Sequence, residues 1–247
     1  MFSEKLISTL RGAEHITVFT GAGISAESGV PTFRGDDGLW KKFKPEELAN
    51  FDAFIRNPKL VWEWYRYRKQ VLANVKPNAG HYALADMEQL HKNVVVITQN
   101  IDNLHQRAGS TKVYELHGNI NRNYCIDCGL SITDEVMSWL GRAPLCPSCH
   151  GLIRPDVVWF GELLPVDQWN KSIAVAEAAD VFFSVGTSAV VYPAASLPTI
   201  AKNAGAYLLE INTERTDLSW HADEILLGKS GDILPRLLQS YQSVVHQ

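Results

Sequence analysis

The stretch HITVFTGAGISAESGVPTFRG, His15 to Gly35, decides how the chain is read. His15–Thr20 is β-branched and apolar, which predicts a strand. Gly21-Ala22-Gly23-Ile24-Ser25-Ala26 then fits G-x-G-x-x-G/A, the turn whose backbone N–H groups can approach a pyrophosphate. An ordinary βαβ unit would continue into a helix of about ten or more residues. Ser28-Gly29-Val30-Pro31 interrupts it almost at once, because glycine and proline both oppose helix. Two readings stay open from these residues: a phosphate grip of unusual form, and a plain glycine-rich loop.

Outward from this stretch, short apolar runs recur at His15–Thr20, Asn93–Thr98, Lys112–Leu116, Val181–Gly186, Ala206–Asn212 and Glu224–Leu227. Most are continuously apolar, as strands buried on both faces of a parallel sheet should be. Helical patterns at His81–His91, Asp167–Ala179, Ala194–Asn203 and Asp232–Val245 separate several of them. This alternation predicts an α/β, doubly wound, Rossmann-like domain. Ligands in such folds sit beyond the carboxyl ends of the strands, which points to Gly21, Gln99, His117, Gly186 and Asn212. Two stretches break the alternation. Residues 30–75 carry helical patterns, and residues 119–151 carry all the cysteines. The expected division is residues 1–29, 76–118 and 152–247 for the sheet domain, with the two inserts forming a second lobe.

The 247 residues suffice for one large domain with inserts. A net charge of −4 gives no electrostatic case for nucleic acid or an anionic membrane. No apolar run is long enough to span a bilayer, and MFSEKLISTLRGA reads as an amphipathic first helix, not a signal peptide. A cytoplasmic protein is the expectation.

The cysteines follow the pattern Cys125-x2-Cys128, seventeen residues, Cys146-x2-Cys149. This spacing suits one structural zinc bound by four thiolates, with no open position for chemistry. Disulfides are disfavoured in a cytosolic chain. His150 is a second candidate ligand, with a plain surface histidine as its other reading.

Taken together, GAGIS, TFR, TQNIDNLH, LHG, the paired C-x2-C motifs, VWFGE, GTS and EINTE resemble the sirtuin family nearly end to end. The resemblance implies an NAD-dependent protein-lysine deacylase. Its small lobe would combine a zinc module with a helical module, and a cofactor-binding loop would follow GAGIS. It implies transfer of the acyl group from lysine to ADP-ribose with release of nicotinamide. Carried over by residue, Gly21, Ala22, Gly23, Ser25 and Ala26 bind the diphosphate and adjoining ribose. Phe33 and Arg34 cover the reacting ribose and a phosphate. Gln99 and Asn100 face ribose hydroxyls, while Ile101 and Asp102 hold the carboxamide. Gly186, Thr187 and Ser188 meet the phosphates and adenosine side. Asn212, Thr213 and Glu214 meet the adenosine ribose, and Ser230 lies in the last nucleotide loop. His117 is the implied base, and histidine is the side chain that exchanges protons near neutrality. His81, His105 and the other histidines keep the reading of packing or solvated faces. Val158, Trp159, Phe160, Gly161 and Glu162 look like the segment that takes the substrate peptide as an added strand.

LVWEWYRYRKQVL, residues 60–72, reads as an aromatic-rich helix. Tyr65 and Arg68, three apart, share one face of it. The pair resembles the Tyr-x-x-Arg of class III bacterial sirtuins, which remove succinyl and malonyl groups, and Ala49 matches their small pocket residue. A zinc-bearing oxidoreductase would need a long helix after Gly23. A non-catalytic zinc ribbon leaves Gln99, Asn100, Asp102 and His117 at strand ends unexplained. ADP-ribosyl transfer would use the same pocket.

Overall fold

The computed structural model describes residues 2–32, 44–91, 93–137 and 142–245. The chain opens with α1 (Glu4–Gly12), whose first N–H groups are met by Ser3 Oγ accepting from Leu6. β1 (Ile16–Thr20) is buried along its whole length. α2 (Ala22–Ala26) is only five residues long. Gly29, at φ +89°, ends this excursion as the Ser28–Pro31 interruption predicted.

The helical insert comprises α3 (Pro45–Leu48), α4 (Phe51–Arg56) and α5 (Pro58–Asn74). Asn57 caps α5 by accepting from Leu60 N–H, and Pro58 occupies the first turn, where no donor is needed. α6 (Ala79–Leu90), β2 (Val94–Thr98), α7 (Leu104–Ala108) and β3 (Val113–Glu115) follow. The cysteine insert holds β4 (Gly118–Cys125), β5 (Ser131–Ile132) and β6 (Ile153–Val157). The chain then runs through α8 (Val166–Glu177), β7 (Val181–Val185), α9 (Leu197–Asn203), β8 (Tyr207–Asn212), β9 (Glu224–Leu227) and α10 (Ser230–Val245).

The large sheet has six strands in the order β3-β2-β1-β7-β8-β9, all parallel. Counted along the chain within this sheet, that is the doubly wound order, with its reversal between β1 and β7. Both faces are covered. Ile16 and Val18 join the core under α1, α6 and α10, while Phe19 joins the one under α8 and α9. That is why the strands read as unbroken apolar runs.

Two boundaries differ from expectation. The single helix expected at Ala194–Asn203 begins as a 3-10 turn, Ala194–Ser196. Pro198 has no N–H to give the Ala194 carbonyl, which accepts from Leu197 instead. β6 lies beyond residue 152 yet pairs with β4, antiparallel, in a three-stranded sheet β5-β4-β6. The return from the cysteine module thus pairs in the small sheet, within the stretch from 152 onward that the expected division gave to the sheet domain. The helical insert and this small sheet share one core, in which Phe54, Trp62 and Tyr65 meet Ile120, Ile153 and Trp159. The Trp62 indole N–H donates across it to the Ile153 carbonyl at 2.7 Å. Among the described residues, no helix is long and apolar enough to cross a membrane.

Candidate active site

The loops after β1 and β7 meet backbone to backbone. Gly21 N–H donates to the Val185 carbonyl at 3.1 Å, and Gly23 N–H to the Gly186 carbonyl at 2.8 Å. A Cβ on Gly21 or Gly23 would stand 2.7 Å from Thr187 Cβ or Gly186 Cα. Gly186 itself sits at φ +58°, where a Cβ would meet Ile24 N at 2.4 Å. Glycine is therefore required on both sides of the crevice. The N-cap of α2, Gly21, brings no side-chain acceptor to that helix's first turn.

Polar side chains from β2 and its following loop line the crevice. Asn100 Nδ2 donates to the Gly21 carbonyl at 2.9 Å and to Ser25 Oγ at 3.1 Å. Ser25 Oγ donates to Asp102 Oδ2 at 2.7 Å, and Leu104 N–H to Asp102 Oδ1 at 3.0 Å. Burial raises the Asp102 pKa; the Leu104 N–H, the Ser25 hydroxyl and the Arg68 charge pull the other way. Gln99 Nε2 reaches Thr187 Oγ1 at 2.9 Å, and Asn212 Nδ2 reaches the Thr187 carbonyl at 3.1 Å. Ser188, Thr213 and Glu214 lie exposed beside them.

His117 follows β3, with Nδ1 2.9 Å from the Gln99 carbonyl. A carbonyl only accepts, so Nδ1 carries the proton and Nε2 keeps its lone pair. Burial lowers the His117 pKa, opposed by the Gln99 hydrogen bond. The imidazole is thus held neutral, in one tautomer, with a basic nitrogen available.

His81 and His105 go beyond the packing role the sequence suggested. Both are buried, with ring centroids 4.9 Å apart. His105 Nε2 lies 3.0 Å from Thr20 Oγ1, which also donates to Thr98 Oγ1. His81 Nδ1 accepts the Asn78 N–H, so its protonated Nε2 faces Ser25 Oγ at 3.5 Å. Burial pushes the His81 pKa down to about 4 and that of His105 well below its ordinary value. The one sequence signal was His105's place inside TQNIDNLH.

The helical insert forms another wall. Tyr65 is 2 % exposed, and its burial raises the phenol pKa, so it keeps its proton. The Arg68 guanidinium lies over Tyr65, 5.8 Å from its ring centroid. Burial lowers the Arg68 pKa, while Tyr65 and the Asp102 charge raise it. Tyr65, Arg68 and Asp102 therefore converge from two elements. Ala49 is buried, and its carbonyl accepts the Phe160 N–H at 2.9 Å.

Val158 N–H donates to the His117 carbonyl, Trp159 N–H to Glu162 Oε2, and Glu162 N–H to the Trp159 carbonyl. These donors of the expected peptide-binding segment are already engaged. Gly161 is exposed. The remaining candidates are dispersed. Ser230 Oγ donates to Glu27 Oε1 at 3.2 Å, joining α10 to the end of α2. Ala26 is exposed, and the Ile101 carbonyl accepts the Ile120 N–H. Phe33 and Arg34 lie outside the described residues.

Cys125, Cys128, Cys146 and Cys149 place their sulfurs within 4.8 Å of one another. Cys125–Cys149 and Cys128–Cys146 are 3.4 and 3.7 Å apart, near the ~3.8 Å edge of a tetrahedral zinc–thiolate site. Each C-x2-C closes alike: Gly129 N–H returns to the Cys125 carbonyl, and His150 N–H to that of Cys146. Gly129 and His150 both sit at positive φ, 70° and 62°. His150 thus holds the turn position that glycine holds in the first knuckle.

Residues 21–193 match the model of the Sir2 family. The chain is 53 % identical over 231 residues to NAD-dependent protein deacylase 2 of Pyrobaculum aerophilum, covering 93 % of this chain and 92 % of that one. It superposes on a Sir2 homologue in complex with NAD at a TM-score of 0.93 and 44 % identity, over 99 % and 96 % of the two chains. A complex of Sir2 with a peptide and NAD+ gives 0.88 and 34 %, over 98 % and 100 %.

Proposed function

The chain belongs to the Sir2 family, and we propose that this NAD-dependent protein deacylase acts on succinyl- and malonyl-lysine as well as acetyl-lysine. NAD is its co-substrate, supplying the ribose carbon that accepts the acyl group as nicotinamide leaves. The glycines after β1 and β7 and the N-terminus of α2 hold the diphosphate. Gln99, Asn100 and Asn212 orient the ribose hydroxyls, and Ile101 and Asp102 the carboxamide. His117 Nε2 takes a proton from a ribose hydroxyl while its Nδ1–H stays anchored on Gln99. Acylated lysine enters along Val158–Glu162; similarity to a Sir2 solved with a peptide and NAD+ supports a peptide substrate. One structural zinc held by the four cysteines fits the sulfur spacing.

The observation that carries the acyl preference is the half-buried Arg68 guanidinium stacked over the buried Tyr65 ring, with the Asp102 charge felt at Arg68. A succinyl or malonyl group ends in a carboxylate, which is costly to bury unpaired. A guanidinium meets it with a charge-assisted bond worth roughly 1.5–3 kcal/mol. Ala49 leaves room for the longer chain. The test is a panel of acetyl-, succinyl- and malonyl-lysine peptides with NAD, read by mass. Arg68→Met should raise KM for succinyl-lysine at least about tenfold, ~1.4 kcal/mol, and far more than for acetyl-lysine. Equal losses on both peptides would return Arg68 to a packing role and leave a plain deacetylase.

A further inference from the structure

We infer that Trp159 is a positioning residue for acyl specificity: its indole N–H, donated to the Tyr65 hydroxyl, turns that phenol so that its own proton meets the carboxylate of an acidic acyl group. The inference rests on the acidic-acyl reading of Tyr65 and Arg68.

Trp159 is 2 % exposed, and its Nε1 lies 2.8 Å from Tyr65 Oη. An indole nitrogen only donates. Tyr65 Oη must therefore accept there. With the indole N–H engaging the oxygen, the O–H is directed away from Trp159 as a donor, and burial keeps it protonated. A carboxylate, which only accepts, is its complement; the methyl end of an acetyl group offers it nothing.

The indole is held firmly enough to impose this direction. The Arg154 guanidinium lies over it, 3.5 Å from the ring centroid, and donates Nη2 to Glu162 Oε2 at 2.9 Å and to the Val157 carbonyl at 2.8 Å. Glu162 Oε2 also accepts the Trp159 backbone N–H at 2.8 Å. The next residue, Phe160, is tied through its N–H to the Ala49 carbonyl. The segment read as the peptide site thus sets both the polar end and the small residue of the acyl pocket. Phenylalanine at 159 would keep the ring over which Arg154 stacks and remove only the donor.

The experiment measures kcat and KM for acetyl- and succinyl-lysine peptides at saturating NAD in the zinc-loaded enzyme, for wild type, Trp159→Phe, Tyr65→Phe, the double variant and Arg68→Met. Trp159→Phe should lower the succinyl-to-acetyl ratio of kcat/KM about three- to tenfold, the reach of one neutral hydrogen bond, through KM. The double variant should match Tyr65→Phe alone, because Trp159 acts through that hydroxyl. An unchanged ratio in Trp159→Phe, or losses that multiply in the double variant, would overturn the inference. If Trp159→Phe does not fold, the benzothiophene analogue of tryptophan at 159, isosteric and without the N–H, gives the same comparison. Arg68→Met separates the two claims. If it leaves the ratio intact, the acidic-acyl reading falls; if it lowers the ratio while loss of the indole N–H does not, only the role of Trp159 falls.

Discussion

His117 shows how one side chain is prepared by its surroundings. The Gln99 carbonyl fixes its tautomer and burial keeps it neutral, so Nε2 is a base before substrate arrives. His117→Ala should abolish NAD-dependent deacylation while zinc content and the melting curve stay those of wild type. Retention of more than a small fraction of turnover by the purified variant would refute the assignment. The pH dependence follows from the sign of the shift. The base works when unprotonated, and burial lowers its pKa, so the acidic limb of kcat/KM should fall below the ordinary histidine value of 6.5. A limb at or above 6.5 would mean that another group controls the rate. Trp159 teaches the complementary lesson. Its motif was legible in VWFGE, but its partner Tyr65 is 94 residues away, and no local pattern reports a bond over that separation.

At the scale of elements, the crevice depends on two loops that touch through their backbones. Gly186→Ala would place a left-handed residue and a Cβ 2.4 Å from Ile24 N. The conformation alone costs about 1–2 kcal/mol, and relieving the clash must part the loops. NAD affinity by calorimetry should fall at least about tenfold; wild-type affinity would show that the close packing is dispensable. The zinc knuckles give the opposite kind of test. His150 occupies a positive-φ turn position, equivalent to that of Gly129. His150→Gly should therefore keep one zinc per chain by metal analysis and melt no lower than wild type, whereas Cys149→Ser should lose both metal and stability. Zinc loss in His150→Gly would make the histidine a ligand after all.

For the whole molecule, what the sequence disclosed and what it hid divide along a physical line. The large sheet was legible because its central strands β2, β1, β7 and β8, buried on both faces, are nearly continuous apolar runs between turn residues. β6 was not read as a strand at all, because its partner β4 is chosen across the cysteine module, not by its own residues. The paired cysteines announced their module through spacing, whereas Arg154, buried between Trp159 and Glu162, left no pattern at all. His81 and His105 were hidden for a related reason: a polar residue in the core is justified only by partners from other elements, here Ser25, Thr20 and each other. That hidden pair governs how the whole fold meets acid. Both rings are neutral when folded, and burial holds the His81 pKa at about 4 against 6.5 for an exposed histidine. The unfolded chain takes up protons below 6.5 that the folded site refuses until about 4, so this contribution is complete above 6.5 and declines as pH falls through that interval. For His81 alone the loss amounts to roughly 3 kcal/mol, with His105 acting in the same direction. Urea unfolding of wild type at pH 7 and at pH 4.5 should show a drop that His81→Gln reduces, because glutamine has no proton to take up. An equal drop in the two proteins would mean that the acid sensitivity lies elsewhere than His81.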